Sequence, residues 1–161
     1  MTPARYRLKV LSVLVARDPS VPGERITNAK QAADIARAMI PDDDREHFGV
    51  VLLSAANKVL GWYEASTGGM GSTTVDSRVI FGAALLSGAV ALILVHNHPS
   101  GEPRASADDE NITRVLQSGA KILGYQLLDH VIIGSGTDKH YSFHDAGALL
   151  AEIDKEPTPC E

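Results

Sequence analysis

Cysteine, long apolar runs and positive charge are all scarce in this sequence, and each scarcity argues against a class of protein. The single cysteine, Cys160, cannot form a disulfide within the chain, and it fits a reducing, cytoplasmic setting. No apolar stretch is long enough to span a bilayer, and we expect no signal peptide because the N-terminus lacks an apolar core with a small-residue cleavage site. The net charge of -5 at pH 7 does not favour nucleic acid as a partner, although a local basic patch would still allow it.

The length of 161 residues fits one domain, which can bury a core without disulfides or a structural metal. We divide the chain into three parts by composition and motif. Residues 1–44 are expected to form a strand and a helix that pack on the domain, and residues 45–149 to form the domain itself. Residues 150–161 are expected to be a flexible tail.

Alternating and helical apolar patterns predict strands interleaved with helices. Because two early strands form a hairpin, the expected fold class is α/β, with a mixed sheet flanked by helices. The predicted strands cover Tyr6–Val15, Gly49–Ser54, Val59–Ala65, Ala89–Val95, Tyr125–Ile133 and a short segment at Tyr141–Phe143. The predicted helices run from a cap at Thr27 or Asn28 to Ile40, from a cap at Ser77 to Leu86, from Ser106 to Ile122, and from His144 to Glu152.

The segment that begins at His96 carries most of the chemistry. His96 and His98 lie at the end of an apolar strand, and their i, i+2 spacing places both side chains on one face. A Pro-Ser-Gly turn follows, and Ser106 then opens a helix whose first turn contains Asp109. Two imidazoles and one carboxylate are zinc-type ligands that leave a fourth position open, which is typical of a catalytic zinc site and not of a structural one.

Each of these residues also has an ordinary structural interpretation. Ser106 and Asp109 resemble a helix capping box, although Glu or Gln is the usual partner of the serine. A single histidine beside a strand is more often structural than a ligand. The pair of histidines with an acid at the next helix start favours a metal site, and the serine can serve both the cap and the site.

These residues also match a known motif. His96, His98, Ser106 and Asp109 have the spacing of the JAMM motif of MPN+/JAB metalloproteases. The sequence most resembles the RadC-type branch, which carries His-Asn-His-Pro-Ser-Gly, the Ser-x-x-Asp helix start and a later strand like Leu128–Gly134. The resemblance covers roughly residues 45–149. It implies a JAB1/MPN-like (cytidine-deaminase-like) fold, with Zn²⁺ bound by the two histidines and the aspartate.

The resemblance also implies a general base and an oxyanion partner. In JAMM proteins the base is a glutamate upstream of the His-x-His, at the entry to a strand. Glu46 occupies the matching position here, and Glu64, at the end of the next strand, is the alternative. Ser106 would hydrogen-bond the attacking water or the oxyanion.

The remaining polar residues near these motifs are given structural roles. His130 is interpreted as a core or ligand-supporting residue, since Asp129 and His130 face opposite sides of a strand. The run Asp42–Asp44 is interpreted as a solvated turn. Thr67–Ser72 is predicted to be a flexible glycine-rich loop beside the cleft, and it lacks the pattern of a phosphate-binding loop. His47, His140 and His144 are interpreted as incidental.

Two functions of different classes follow. The first is a JAMM-type zinc hydrolase that cleaves a peptide, isopeptide or other amide bond, and the complete ligand set favours it. The second is a non-catalytic or DNA-associated MPN module linked to DNA repair, which the acidic composition disfavours. The expected partner is a peptide- or isopeptide-like substrate. An edge strand from the N-terminal segment would also allow a homodimer.

Overall fold

The structure is a computed structural model that describes residues 25–68 and 75–149. Its elements are α1 (Ala29–Met39), β1 (Glu46–Leu53), β2 (Val59–Gly68), α2 (Ser77–Ser87), β3 (Ala91–His98), α3 (Ala107–Leu123), β4 (Gln126–Gly134) and β5 (His140–Ser142). The strands form one sheet in the order β2-β1-β3-β4-β5, in which β3 and β4 are parallel and the other pairs antiparallel. The predicted α/β fold with a mixed sheet is therefore confirmed. The strand predicted at Tyr6–Val15 and the predicted tail lie outside the described residues.

The sheet is covered on both faces. One face packs on α1, whose four buried residues are all alanines, so the helix can lie close to the sheet. The other face packs on α2 and α3 through a second apolar cluster. β1 and β3 are buried on both faces, which explains their nearly continuous apolar sequences. Alternate residues of β1 and β3 thus belong to opposite faces, which we call the α1 face and the α2/α3 face.

The helix starts follow their capping residues. Asn28 caps α1 by accepting a hydrogen bond from the backbone N–H of Gln31, as one of the two predicted caps. The predicted cap of α2, Ser77, is wrong by one residue, because the Asp76 carboxylate accepts the N–H of Arg78. Ser106 caps α3 as predicted.

Two predicted segments differ in the structure. β2 continues through Thr67 and Gly68, which pair with β1, and the rest of the predicted loop lies outside the described residues. The predicted terminal helix is wrong over residues 144–149, which form turns. The reason is that Asp129 of β4 accepts the backbone N–H of His144 at 2.9 Å and fixes this segment to the sheet.

The loop after β3 folds back onto the end of β4. The carbonyl oxygen of His98 accepts hydrogen bonds from the N–H groups of Gly101 and Ser135, both at 3.0 Å. Gly134 has no room for a side chain there, because a Cβ atom would overlap the carbonyl oxygen of Gly101. The ends of β3 and β4 and the two loops that follow them are therefore held together. None of the helices within the described ranges is both long and apolar enough to cross a membrane.

Candidate metal centre

His96, His98 and Asp109 meet on the α2/α3 face, at the end of β3 and the first turn of α3. Their ligand atoms all lie within 4.8 Å of one another. His96 Nε2 is 3.0 Å from Asp109 Oδ1, His98 Nε2 is 3.6 Å from Asp109 Oδ2, and the two Nε2 atoms are 3.0 Å apart. The geometry predicted from the spacing of the three residues is therefore present, while their roles as ligands stay a prediction.

The Nδ1 atom of His98 fixes the orientation of its ring. It lies 3.0 Å from the carbonyl oxygen of Glu102, which can only accept a hydrogen bond. Nδ1 therefore carries a proton, and in the neutral ring the lone pair is on Nε2, the atom that faces Asp109.

A chain of buried hydrogen bonds does the same for His96. The Thr113 hydroxyl donates to the carbonyl oxygen of Asp109 at 2.5 Å, so it accepts from His130 Nδ1, also at 2.5 Å. The other nitrogen of a neutral His130, Nε2, then accepts from His96 Nδ1 at 2.8 Å. The lone pair of His96 is thereby placed on Nε2, toward His98 and Asp109.

Burial and ring packing support this arrangement. His130 is fully buried, and burial lowers its pKa well below the ordinary value, which keeps the ring neutral. Phe48 stacks on His96, and Phe143 stacks on His130, with ring centroids 5.7 Å and 4.9 Å apart. The two imidazoles are therefore held between aromatic rings and cannot easily reorient.

The donor set fits a zinc ion. Burial alone would raise the pKa of Asp109, but His96 and His98, which donate hydrogen bonds to the carboxylate when their rings are protonated, outweigh burial and hold that pKa far below its ordinary range. The hydrogen bond to Asp109 raises the pKa of His98, against the effect of burial. Two unprotonated nitrogens and a carboxylate oxygen facing one point attract a cation, and two imidazoles with one carboxylate are a common zinc ligand set.

Ser106 supports Asp109 directly. Its backbone N–H and its hydroxyl donate to Asp109 Oδ2 at 2.7 and 2.6 Å, and its Oγ accepts the N–H of Asp109 at 3.2 Å. The capping box is therefore complete with Asp in place of Glu, and it aims the carboxylate at the histidines. The role of Ser106 toward an oxyanion stays a prediction.

Glu46 and Glu64 lie on opposite faces of the sheet. β1 and β3 pair as far as Phe48 opposite His96, and strand alternation puts Glu46, two residues before Phe48, on the same α2/α3 face. The charge of Glu46 contributes to the raised pKa of His98, after Asp109 and the Glu102 carbonyl. Glu64 is paired with Gly49 on the α1 face. The face therefore favours Glu46 as the residue next to the metal centre.

Glu64 is instead bound to His47, whose interpretation as incidental is wrong. His47 is 3% exposed, and its ring nitrogens face Glu64 Oε1 at 2.5 Å and Asp43 Oδ1 at 2.9 Å. The run Asp42–Asp44 is interpreted from the sequence as a solvated turn, but Asp43 is an ion-pair partner of His47. Burial opposes a charge on His47, but the hydrogen bonds that its ring donates to the Glu64 and Asp43 carboxylates raise its pKa.

This cluster predicts a pH-dependent contribution to stability. Since the folded protein raises the pKa of His47, the stabilisation is complete below the unfolded value of about 6.5 and is lost as the pH rises through the folded value. We expect His47→Gln to lower the free energy of unfolding by about 1–3 kcal/mol near pH 5.5 and by less near pH 9. Urea unfolding with a chelator present at both pH values measures this, and an equal loss at both would contradict it.

The hydrogen bonds of His130 give a second prediction. His130→Phe keeps an aromatic ring on Phe143 but removes the acceptor for His96 Nδ1. We expect the zinc dissociation constant to rise about 10- to 100-fold, as for other residues that orient a metal ligand. A competition titration with a chelating dye measures the constant, and thermal unfolding without metal checks folding. Unchanged affinity in a folded variant would mean that His96 needs no such support.

Comparisons with known proteins match most of this chain to one family. Residues 26–148 match the profile of the RadC-like JAB domain. A UPF0758 protein of Desulfitobacterium hafniense is 42% identical over 138 residues, covering 84% of this chain and 58% of that protein. A UPF0758 protein of Flavobacterium johnsoniae is 41% identical over 124 residues, covering 77% of this chain and 53% of that protein. This chain thus spans little more than half the length of these curated relatives, and on the profile match it belongs to the RadC-like JAB domain family.

Proposed function

We propose that this chain is a zinc-dependent hydrolase of JAMM type, which cleaves a peptide, isopeptide or other amide bond. One observation carries the proposal: His96 and His98 are oriented by separate Nδ1 partners so that both Nε2 atoms face the Asp109 carboxylate. An acidic side chain, Glu46, lies on the same face of the sheet, two residues before Phe48, which is paired with His96. A domain that only binds a partner has no need of this arrangement.

The proposed mechanism gives each residue a defined task. His96, His98 and Asp109 would hold the zinc ion, whose Lewis acidity makes water a nucleophile near neutral pH. Glu46 would accept a proton on its carboxylate as the nucleophile attacks the amide carbon, and would return that proton to the leaving nitrogen. The backbone N–H of Ser106 would keep Asp109 oriented, while its hydroxyl would turn away from Asp109 and donate to the oxyanion as the carbonyl oxygen gains charge.

The charges near the centre disfavour nucleic acid as the alternative partner. Arg45 pairs with Asp43 at 3.1 Å, and Lys139 and Arg104 lie 3.3 and 3.8 Å from Glu102. These basic side chains are therefore partly neutralised by acids, whereas phosphate binding needs unneutralised basic side chains. This supports a substrate with amide bonds over a role as a DNA-associated module.

The test begins with metal content. The full chain, purified without added metal, is measured by mass spectrometry, and the protein is then incubated with a mixture of internally quenched peptides and lysine-linked isopeptides. We expect near-stoichiometric zinc and cleavage that a chelator stops and added zinc restores. Protein that binds no zinc even when it is supplied at neutral pH would overturn the proposal and favour the non-catalytic module.

A further inference from the structure

We propose that Asn97, between the two candidate histidine ligands, is a positioning residue that sets the place of Glu46 relative to the metal centre. This inference rests on the proposed function, in which Glu46 is the general base. Asn97 is only 1% exposed and faces the α1 side of the sheet, away from the centre. It therefore acts through the backbone and not by contact with substrate or metal.

The amide group of Asn97 binds the peptide groups on both sides of Glu46. Its Oδ1 accepts the backbone N–H of His47 at 2.7 Å, and its Nδ2 donates to the carbonyl oxygen of Arg45 at 3.0 Å. Glu46 is the residue between those two peptide groups. Its backbone is thus fixed to β3 at the position between His96 and His98.

Main-chain pairing does not provide this connection. The register of β1 and β3 runs from Leu53 opposite Ala91 to Phe48 opposite His96, and ends there. Beyond Phe48, the side chain of Asn97 takes the place of the main-chain hydrogen bonds. Because β3 also carries both histidines, one strand then determines the spacing between the base and the ligands.

Asn97 has a third partner that ties the same point to β4. Nδ2 also donates to Ser135 Oγ at 3.0 Å, in the turn after β4. The N–H of Ser135 in turn donates to the carbonyl oxygen of His98. The amide therefore connects the start of β1, the end of β3 and the turn after β4. These contacts require a side chain that carries both a donor and an acceptor in one short planar group. Among the standard residues, only asparagine has such an amide group on a side chain of this length.

The test is Asn97→Ala in the full chain loaded with Co²⁺, with Asn111→Ala, an exposed asparagine of α3, as the matched control. The first readout is the paramagnetic shift of the Glu46 carboxyl carbon in the NMR spectrum, which depends on its distance and direction from the metal. The second is the hydrogen-exchange rate of the His47 amide. We expect Asn97→Ala to bind Co²⁺, to change that shift and to speed that exchange, while the control changes neither.

Activity provides a third readout on any peptide found by the screen. We expect kcat to fall on the order of 10²-fold in Asn97→Ala with KM little changed, since misplacing a catalytic group by about 1 Å has such an effect. Unchanged shift, exchange and kcat would overturn the role of Asn97 while leaving the hydrolase intact. Wild-type protein that binds no Co²⁺ would overturn both, and Glu46→Gln with full activity would remove the base that Asn97 positions.

Discussion

Replacing Glu46 by glutamine should lower kcat about 10²- to 10⁴-fold, the range for loss of a general acid–base group, while the zinc content stays unchanged. Glutamine has nearly the same shape as glutamate but cannot accept the proton. Because Glu46 lies on β1, and the three candidate ligands lie on β3 and α3, the substitution leaves the ligand set in place. Steady-state kinetics on a peptide from the screen, with metal content measured on the same samples, test this directly.

Glu64→Gln is the matched control, since it makes the same chemical change on the other face of the sheet. Its carboxylate is bound by His47 and by Thr67, so we expect lower stability with kcat nearly unchanged. Full activity in Glu46→Gln together with inactive, folded Glu64→Gln would transfer the role of base to Glu64. Loss of zinc in Glu46→Gln would instead mean that Glu46 holds the ion, and the proposed division of tasks would be wrong.

The parts of the site that are local in sequence could be predicted. Strand alternation places His96 and His98 on one face whatever the rest of the fold does. The helix start at Ser106 fixes the direction of Asp109 through hydrogen bonds between residues three apart. The α/β class also follows from local periodicity, because apolar strands alternate with amphipathic helices. In each case the deciding contacts join residues close together in the chain.

The supporting contacts could not be predicted, because they join distant residues. Asn97 reaches Arg45 across 52 positions of sequence, and His96 reaches His130 across 34. His130 is interpreted from the sequence as a core or ligand-supporting residue, but Thr113, whose hydroxyl fixes the place of the His130 proton, looks in sequence like any helix residue. His47 is one residue from Glu46, yet it faces the other side of the sheet and pairs with Glu64. Strand alternation could have predicted the direction of the His47 side chain, because neighbouring residues on a strand face opposite sides of the sheet.

The choice between Glu46 and Glu64 shows that the pairing between strands gives information that alternation along one strand does not. Sequence distance from the His-x-His motif favours Glu64, whereas motif order favours Glu46. The structure favours Glu46, since strand alternation puts it on the face of Phe48 and His98, whereas Glu64 is paired with Gly49 on the other face. A bulge in β2, where Phe48 is paired with Ser66 and Gly49 with Glu64, moves this register by one residue. The sequence pattern of β2 alone does not predict this one-residue shift in its pairing with β1.

The largest expected effect is loss of the metal itself. His98→Ala and Asp109→Ala should each bind zinc more than about 100-fold more weakly than the wild type, beyond the effect of removing a supporting residue, and should lose hydrolysis with it. Metal content by mass spectrometry after purification without added metal, followed by chelator competition, measures both. Stoichiometric zinc in either variant would show that the ion lies elsewhere.

Asp109→Ala also removes half of the capping box, so loss of metal in that variant has two explanations. Asp109→Asn separates them, because its side-chain oxygen can still accept the backbone N–H of Ser106, which now lies 2.7 Å from Oδ2. Asp109→Asn removes the negative charge that, together with the two imidazoles, would attract a metal ion. The hydrogen bond at the start of α3 is kept. We therefore expect Asp109→Asn to unfold at nearly the temperature of the metal-free wild type and still to bind little zinc. If Asp109→Asn bound zinc normally and only Asp109→Ala failed, the aspartate would be a helix cap and the two histidines would bind the ion without it.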